Sequence, residues 1–171
     1  MKLTLKLCEI REWSEGDVDS LAENANDRDI WLQLRDIFPH PYTTSDAGNW
    51  IRIANSMDPI TNFAIVVDGH AVGGIGLTLQ GDILRKSAEI GYWLGRKHWG
   101  KGIATEVVTA LTQYGFEQFD LYRIFAVSFA ENAASAKVLQ KAGYQYEGTL
   151  RKAAIKDGRI LDEVVYAAIV E

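Results

Sequence analysis

Trp99-Gly100-Lys101-Gly102-Ile103-Ala104-Thr105-Glu106 sets two glycines and a lysine where an apolar strand gives way to an amphipathic helix. Glycine lets a ligand come close to the main chain. The first N–H groups of a helix have no acceptor inside it and point outward, with the positive end of the helix dipole behind them. The stretch predicts a turn built to hold an anion, with phosphate as its guest. On its upstream side Ser87 to Leu94 alternates Glu89, Gly91 and Trp93 with Ala88, Ile90, Tyr92 and Leu94, the period of a strand. On its downstream side Ile103, Val107, Ala110, Leu111 and Tyr114 recur at helical spacing, with Glu106, Thr109, Gln113 and Glu117 facing away.

Further out, Leu3 to Ile10 reads as an opening strand, followed by a helix near Val18 to Asn24 with Ser14 and Asp17 as N-caps. A second helical piece is expected over Asp29 to Arg35. Pro39-His40-Pro41-Tyr42 is a non-helical connector, and Thr44 or Ser45 caps a helix from about Asp46 to Met57. Asn62 to Val67 and Ala71 to Leu79 are strands joined at Asp68-Gly69, and Gly81-Asp82 marks another reversal. Arg123 to Phe129 is a strand, and Asn132 caps a helix that Gly143 ends, burying Val138, Leu139 and Ala142. Two last strands, Tyr144 to Ile155 and Arg159 to Val170, turn at Asp157-Gly158. The pattern is α+β with a mixed, mostly antiparallel twisted sheet, and residues 1–171 are expected to form one domain.

With 171 residues, 47% hydrophobic and 11% aromatic, the chain can build a sizeable core. It contains no apolar run long enough to cross a bilayer, and Met1-Lys2-Leu3-Thr4-Leu5-Lys6-Leu7 lacks the apolar centre of a signal peptide, so a soluble, cytoplasmic protein is expected, with no membrane partner. Cys8 is the single cysteine and reads as an inert strand residue. His40, His70 and His98 are too scattered to imply a metal. A formal charge of −5 argues against nucleic-acid binding and suits a cationic partner.

A phosphate-binding P-loop would need G-x-x-x-x-G-K-S/T. Gly95 to Lys101 meets that spacing until Gly102 stands where the magnesium-binding hydroxyl belongs. Gly73-Gly74-Ile75-Gly76 lies within a strand and reads as a bulge or a site of close packing. Of the five tryptophans, Trp13, Trp31, Trp50, Trp93 and Trp99, most are expected in the core.

Lys97-His98-Trp99-Gly100-Lys101-Gly102-Ile103-Ala104 resembles the acetyl-CoA pyrophosphate loop of the GNAT superfamily of N-acetyltransferases, Gln/Arg-x-x-Gly-x-Gly/Ala, with Lys97 at its first position. Asn132-Ala133-Ala134-Ser135 through Val138 to Gly143-Tyr144 resembles the same family's later segment. The pattern is most similar to the subgroup of ribosomal-protein alanine acetyltransferases, and covers about Asn62 to Glu171. The resemblance implies a GNAT-like α/β/α arrangement, with residues 62–171 as an acetyl-CoA-binding core and residues 1–60 as acceptor-side helices. It implies acetyl-CoA as co-substrate, no metal, and a monomer or homodimer. It also implies that Tyr92, Trp93, Leu94, Lys97, Trp99, Gly100, Lys101, Gly102, Ile103, Ala104, Thr105, Asn132 and Ser135 contact the cofactor, the strand end at Tyr92 to Leu94 through its main chain. Where many members carry a tyrosine as general acid, this chain has Gln140.

Acetyl transfer to an amine requires a neutral amine, a polarised thioester carbonyl and a proton for the departing thiolate. Glu89, on the strand leading into the loop, is the candidate base. Ser135 follows Asn132 by about one helical turn and resembles the serine that the ribosomal subgroup places near the thiol. Asp162 and Glu163, at the final hairpin, are either a solvated end or a contact for a cationic substrate. The expected acceptor is a protein or peptide N-terminal α-amine such as that of a ribosomal protein. The alternatives are a small amine, such as a polyamine or aminoglycoside, and a non-catalytic acyl-CoA sensor.

Overall fold

Leu3 to Ile10 is not one strand: in the computed structural model, which describes residues 1–170, it folds back on itself. β1 (Lys2–Thr4) and β2 (Glu9–Arg11) pair antiparallel, and Leu5 N–H donates to the Cys8 carbonyl at 2.9 Å to close the turn. Alternation cannot mark this reversal, because what satisfies the turn is a distant carboxylate: Glu106 accepts from the N–H groups of Lys6 and Leu7, each at 2.9 Å.

Local capping chemistry sets the helices. Ser14 and Asp17 form a reciprocal capping box around a short 3-10 turn, which runs into α1 (Val18–Ala25). Asp27 then accepts from the N–H groups of Asp29 and Ile30 to start α2 (Arg28–Trp31). That helix is shorter than expected because Gln33 and Leu34 donate three residues back, to Ile30 and Trp31, and the ladder tightens into turns. α3 (Thr44–Asn55) is capped by Thr43, one residue earlier than expected, since it is Thr43 that pairs reciprocally with Asp46 at 3.2 and 2.8 Å.

β3 (Asn62–Val67), β4 (His70–Leu79) and β5 (Ser87–Leu94) follow, then α4 (Ile103–Phe119), β6 (Arg123–Phe129), α5 (Ala133–Lys141), β7 (Gln145–Lys156) and β8 (Arg159–Ile169). Among the described residues these make eight strands and five α-helices, an α+β chain. They fall into two compact units, Met1–Gly76 with Tyr92–Val107, and Leu77–Gly91 with the chain from Val108 onward. The first carries the antiparallel strands β1-β2-β3-β4. Its core joins Leu21, Ala22 and Ala25 of α1 and Ala47, Ile51 and Ala54 of α3 to Trp13, Tyr42, Ala64 and Val66. The second runs β5-β6-β8-β7; β5 and β6 are parallel and the other pairs antiparallel.

In the second unit the buried stripe of α4 is wider than the sequence spacing implies, because Val108 and Thr112 are buried beside Leu111. Thr112 Oγ1 donates to the Val108 carbonyl at 2.7 Å and lies 2.6 Å from the buried Tyr144 hydroxyl, so its polarity is satisfied within the core. Asp162, read from sequence as either solvated or substrate-facing, has a structural task. Its Oδ1 accepts from Lys152 N–H at 2.7 Å, where Lys152 adopts φ +52° in a bulge between Leu150 and Ala154.

The run read as a bulge or a site of close packing shows both: β4 slips register against β3 between Ala71 and Gly73, and Gly73 and Gly74 are closely approached. A Cβ at Gly73 would sit inside van der Waals distance of the Trp93 carbonyl oxygen, and one at Gly74 would meet the indoles of Trp93 and Trp13. Backbone is the obstacle at Gly73, so it cannot swing aside. Gly73→Ala is expected to destabilise the protein by roughly 1–3 kcal/mol in urea unfolding, as overpacking of a well-filled site does. Gly48→Ala, whose Cβ meets nothing within 4 Å on α3, serves as the control and should not destabilise.

Candidate functional site

The chain between β5 and α4 is held before it is opened. Gly95 N–H donates to the Val72 carbonyl at 2.7 Å, a single 3-10 turn spans Arg96–His98, and the Trp99 indole Nε1 reaches back to the Leu94 carbonyl at 2.6 Å. Gly100 and Gly102 then take φ of +72° and +86°, a conformation that costs other L-residues roughly 1–2 kcal/mol. No atom lies within 4 Å of where a Gly100 Cβ would stand, so the main chain there is open to a ligand. The first helical ladder bond of α4 runs from Glu106 N–H to the Gly102 carbonyl at 3.1 Å. The N–H groups of Ile103 and Ala104 therefore precede the ladder, as a phosphate cradle requires.

The turn is positive. His98 is held below its ordinary pKa, first by burial and then by the charges of Lys101 and Lys97. Arg96, a residue the sequence reading passed over, donates to Asp27 through Nε at 2.8 Å and Nη2 at 3.0 Å, pairs also with Asp29, and stacks 5.5 Å from the Trp99 ring centroid. The only sequence signal for Arg96 was its place at the head of the basic run Arg96-Lys97-His98. Lys97 pairs with Glu23 of α1 at 2.9 Å, in an exposed contact of the kind worth little in water.

Residues 8–145 match the acetyltransferase (GNAT) domain. The chain belongs to the GNAT family of N-acetyltransferases. It is 33% identical over 174 residues to the uncharacterized N-acetyltransferase p20 of Bacillus licheniformis, an alignment covering 98% of this chain and 93% of that protein. It is 33% identical over 88 residues to a ribosomal-protein-serine acetyltransferase of Escherichia coli, covering 52% and 49%. Its fold is similar to that of RimL, a ribosomal L7/L12 α-N-protein acetyltransferase solved with coenzyme A, with a TM-score of 0.87 at 20% identity and 99% and 98% coverage.

In this GNAT acetyltransferase the sequence-selected residues divide between the two units. The first unit brings together Tyr92, Trp93, Leu94, Lys97, Trp99, Gly100, Lys101, Gly102, Ile103, Ala104 and Thr105. Leu94 and Ile103 are buried, and the Leu94 carbonyl is already engaged by the Trp99 indole. Of the tryptophans, most of which were expected in the core, Trp13 is buried; Trp31, Trp50 and Trp93 are half-buried, with Trp93 meeting Phe38 edge-on at 5.5 Å, and Trp99 is 46% exposed. The second unit holds Glu89, half-buried and in register with Phe125 on β6. It also brings Asn132 and Ser135 together: Asn132 Oδ1 accepts Ser135 N–H at 3.0 Å, and this cap leaves the Asn132 NH2 group as a donor pair. Leu139 is the fully buried residue of α5, with Val138 and Ala142 only partly covered, and Gln140 is exposed. Among the described residues no three His, Cys, Asp or Glu side chains are grouped to hold a metal, and no helix is long and apolar enough to cross a membrane.

The Arg96 guanidinium beside Asp27 holds that carboxyl down to about 2. An unfolded aspartate titrates near 3.9, so the stabilisation is complete above about pH 4 and is lost as the pH falls through the folded value. Urea titrations of wild type and Asp27→Asn should differ by a constant margin from about pH 8 to about pH 5, and that margin should shrink between about pH 4 and about pH 2.5.

Proposed function

We propose that this acetyltransferase uses acetyl-CoA and acetylates a primary amine, the N-terminal α-amine of a protein or peptide such as a ribosomal protein. The observation that carries the cofactor assignment is the Gly100–Gly102 turn: two left-handed glycines, open space over the first, and a positive surround at a helix start. Those features fit a pyrophosphate, which is held by backbone donors and needs close approach rather than a particular side chain. The names of the ribosomal-protein relatives support the acceptor assignment.

In this reading the N–H groups at Ile103 and Ala104 hold the phosphates and Lys101 adds charge. Acetyl-CoA supplies an acyl group already activated as a thioester. The main chain of β5 at Tyr92 to Leu94 orients the arm and donates to the acyl carbonyl, a preorganised contact that costs no rearrangement at the moment of reaction. The Asn132 NH2 group is assigned to the cofactor, and Ser135 relays or stabilises charge near the thiol. An α-amine, with a reference pKa of about 7.7 to 8.0, is roughly a tenth neutral at pH 7, whereas a lysine amine near 10.4 is neutral in well under one part in a thousand. A carboxylate acting through a water is therefore sufficient for an N-terminus, and Glu89 is the residue assigned to it. With Gln140 at the position of the familiar tyrosine, Ser135 and solvent remain to protonate the thiolate.

Thiol release from acetyl-CoA should be measured across ribosomal-protein N-terminal peptides, their Nα-blocked forms, polyamines and aminoglycosides. Turnover is expected with free N-terminal peptides and not with blocked ones. Faster turnover of small amines would move the acceptor assignment to that class, and acetyl-CoA binding without any turnover would make the chain a sensor. Glu89→Gln is expected to lower kcat/KM by about 100-fold, most strongly at low pH, with acetyl-CoA affinity unchanged. An unaltered pH–rate profile would remove Glu89 from the chemistry.

A further inference from the structure

Glu106 opens the helix that frames the anion turn, yet it serves neither the turn nor the solvent face on which its spacing placed it. Its two carboxylate oxygens each take one main-chain N–H, Oε1 that of Lys6 and Oε2 that of Leu7, both at 2.9 Å and about a hundred residues away in sequence. Oε2 also lies 3.8 Å from Cys8 Sγ, and that buried thiol is pushed up to about 12, chiefly by burial and then by the Glu106 charge. The turn so gripped ends beside the glycines: Leu7 Cδ1 stands 3.5 Å from where a Cβ on Gly102 would be. Leu7 is 42% exposed, an apolar side chain kept at the edge of a phosphate cradle.

A free carboxylate at this spot would repel a bound pyrophosphate. Two amide donors and the start of α4 stabilise the charged carboxylate here, so the residue can hold the turn at the head of the helix. We propose that Glu106 is a positioning residue that latches the 5–8 turn against Gly102, making Leu7 one wall of the acetyl-CoA phosphate site. This rests on the acetyl-CoA reading given above. It assigns residues 5–8, outside the family's loop motif, to cofactor affinity.

The test measures acetyl-CoA binding by calorimetry in wild type, Glu106→Gln, Glu106→Asp and Leu7→Ala, together with iodoacetamide alkylation of Cys8 followed by intact mass. Glu106→Gln keeps the shape but offers one acceptor oxygen, and is expected to weaken acetyl-CoA by about tenfold, as loss of a charge-assisted hydrogen bond does. Binding stoichiometry should stay at one per chain, which a merely destabilised protein would not maintain. Cys8 should react faster in this variant, and in wild type saturating acetyl-CoA should slow its reaction. Glu106→Asp should recover part of the affinity. If Glu106→Gln does not fold, Leu7→Ala carries the test, since it keeps the latch and withdraws the wall; weaker binding supports the proposal and unchanged binding overturns it. Unchanged affinity in Glu106→Gln, with faster Cys8 alkylation, overturns it as well. Wild-type protein that fails to bind acetyl-CoA would overturn the cofactor reading and this inference together, and is seen before any substitution is made.

Discussion

The anion turn depends on how firmly strand β5 is fastened where it ends. A loop that offers its N–H groups to a ligand cannot also use them to stiffen itself, so its rigidity has to be supplied from outside. Here the Val72 carbonyl takes the Gly95 amide and the Leu94 carbonyl takes the Trp99 indole, and both contacts leave the amides after Gly100 untouched. Gly73 makes the arrangement sterically feasible, because any side chain there would strike the Trp93 carbonyl. Arg96 and Glu106 extend the same logic to the two flanks, one through Asp27 and Asp29, the other through the Lys6 and Leu7 amides.

Much of this was legible because it obeys short-range rules. β3, β5 and β6 begin and end where their alternation and turn residues place them, and the two glycines read as letting a ligand approach the main chain stand at the start of α4, both with positive φ. What escaped was made by partners far apart in sequence. The hairpin inside Leu3 to Ile10 exists because a carboxylate from α4 satisfies its turn, and Arg96 matters because of acids some seventy residues earlier. Neither pairing leaves a periodic trace. Thr112, which the helical spacing did not single out, is a subtler case: its burial is made possible by the Val108 carbonyl and the Tyr144 hydroxyl, 32 residues further on. Glu89, Asn132 and Ser135 were selected by position in a motif. Glu89 lies half-buried on β5, and Asn132 caps α5 through its Oδ1.

The net charge of −5 proves a coarse guide to the site. Asp27, Asp29, Glu23 and Glu106 are among the acids nearest the turn, and all are engaged by cations or amides. At His98, burial and then the charges of Lys101 and Lys97 outweigh the opposing charge of Asp68, so the acidic total does not describe the turn. The whole-molecule sum bears on solubility and encounter; the pairing pattern decides what can bind.

The Lys152 bulge reaches beyond the reaction. β7 is the outer strand of its unit, and Leu150 and Ile155 lie exposed along it, a combination that invites another chain to add a strand. Asp162 of the paired strand β8 takes the Lys152 amide beside a left-handed residue mid-strand, with the cations Arg151 and Lys152 at the break. The consequence is colloidal: a kinked, charged edge is a poorer template for ordered self-association than a flat apolar one.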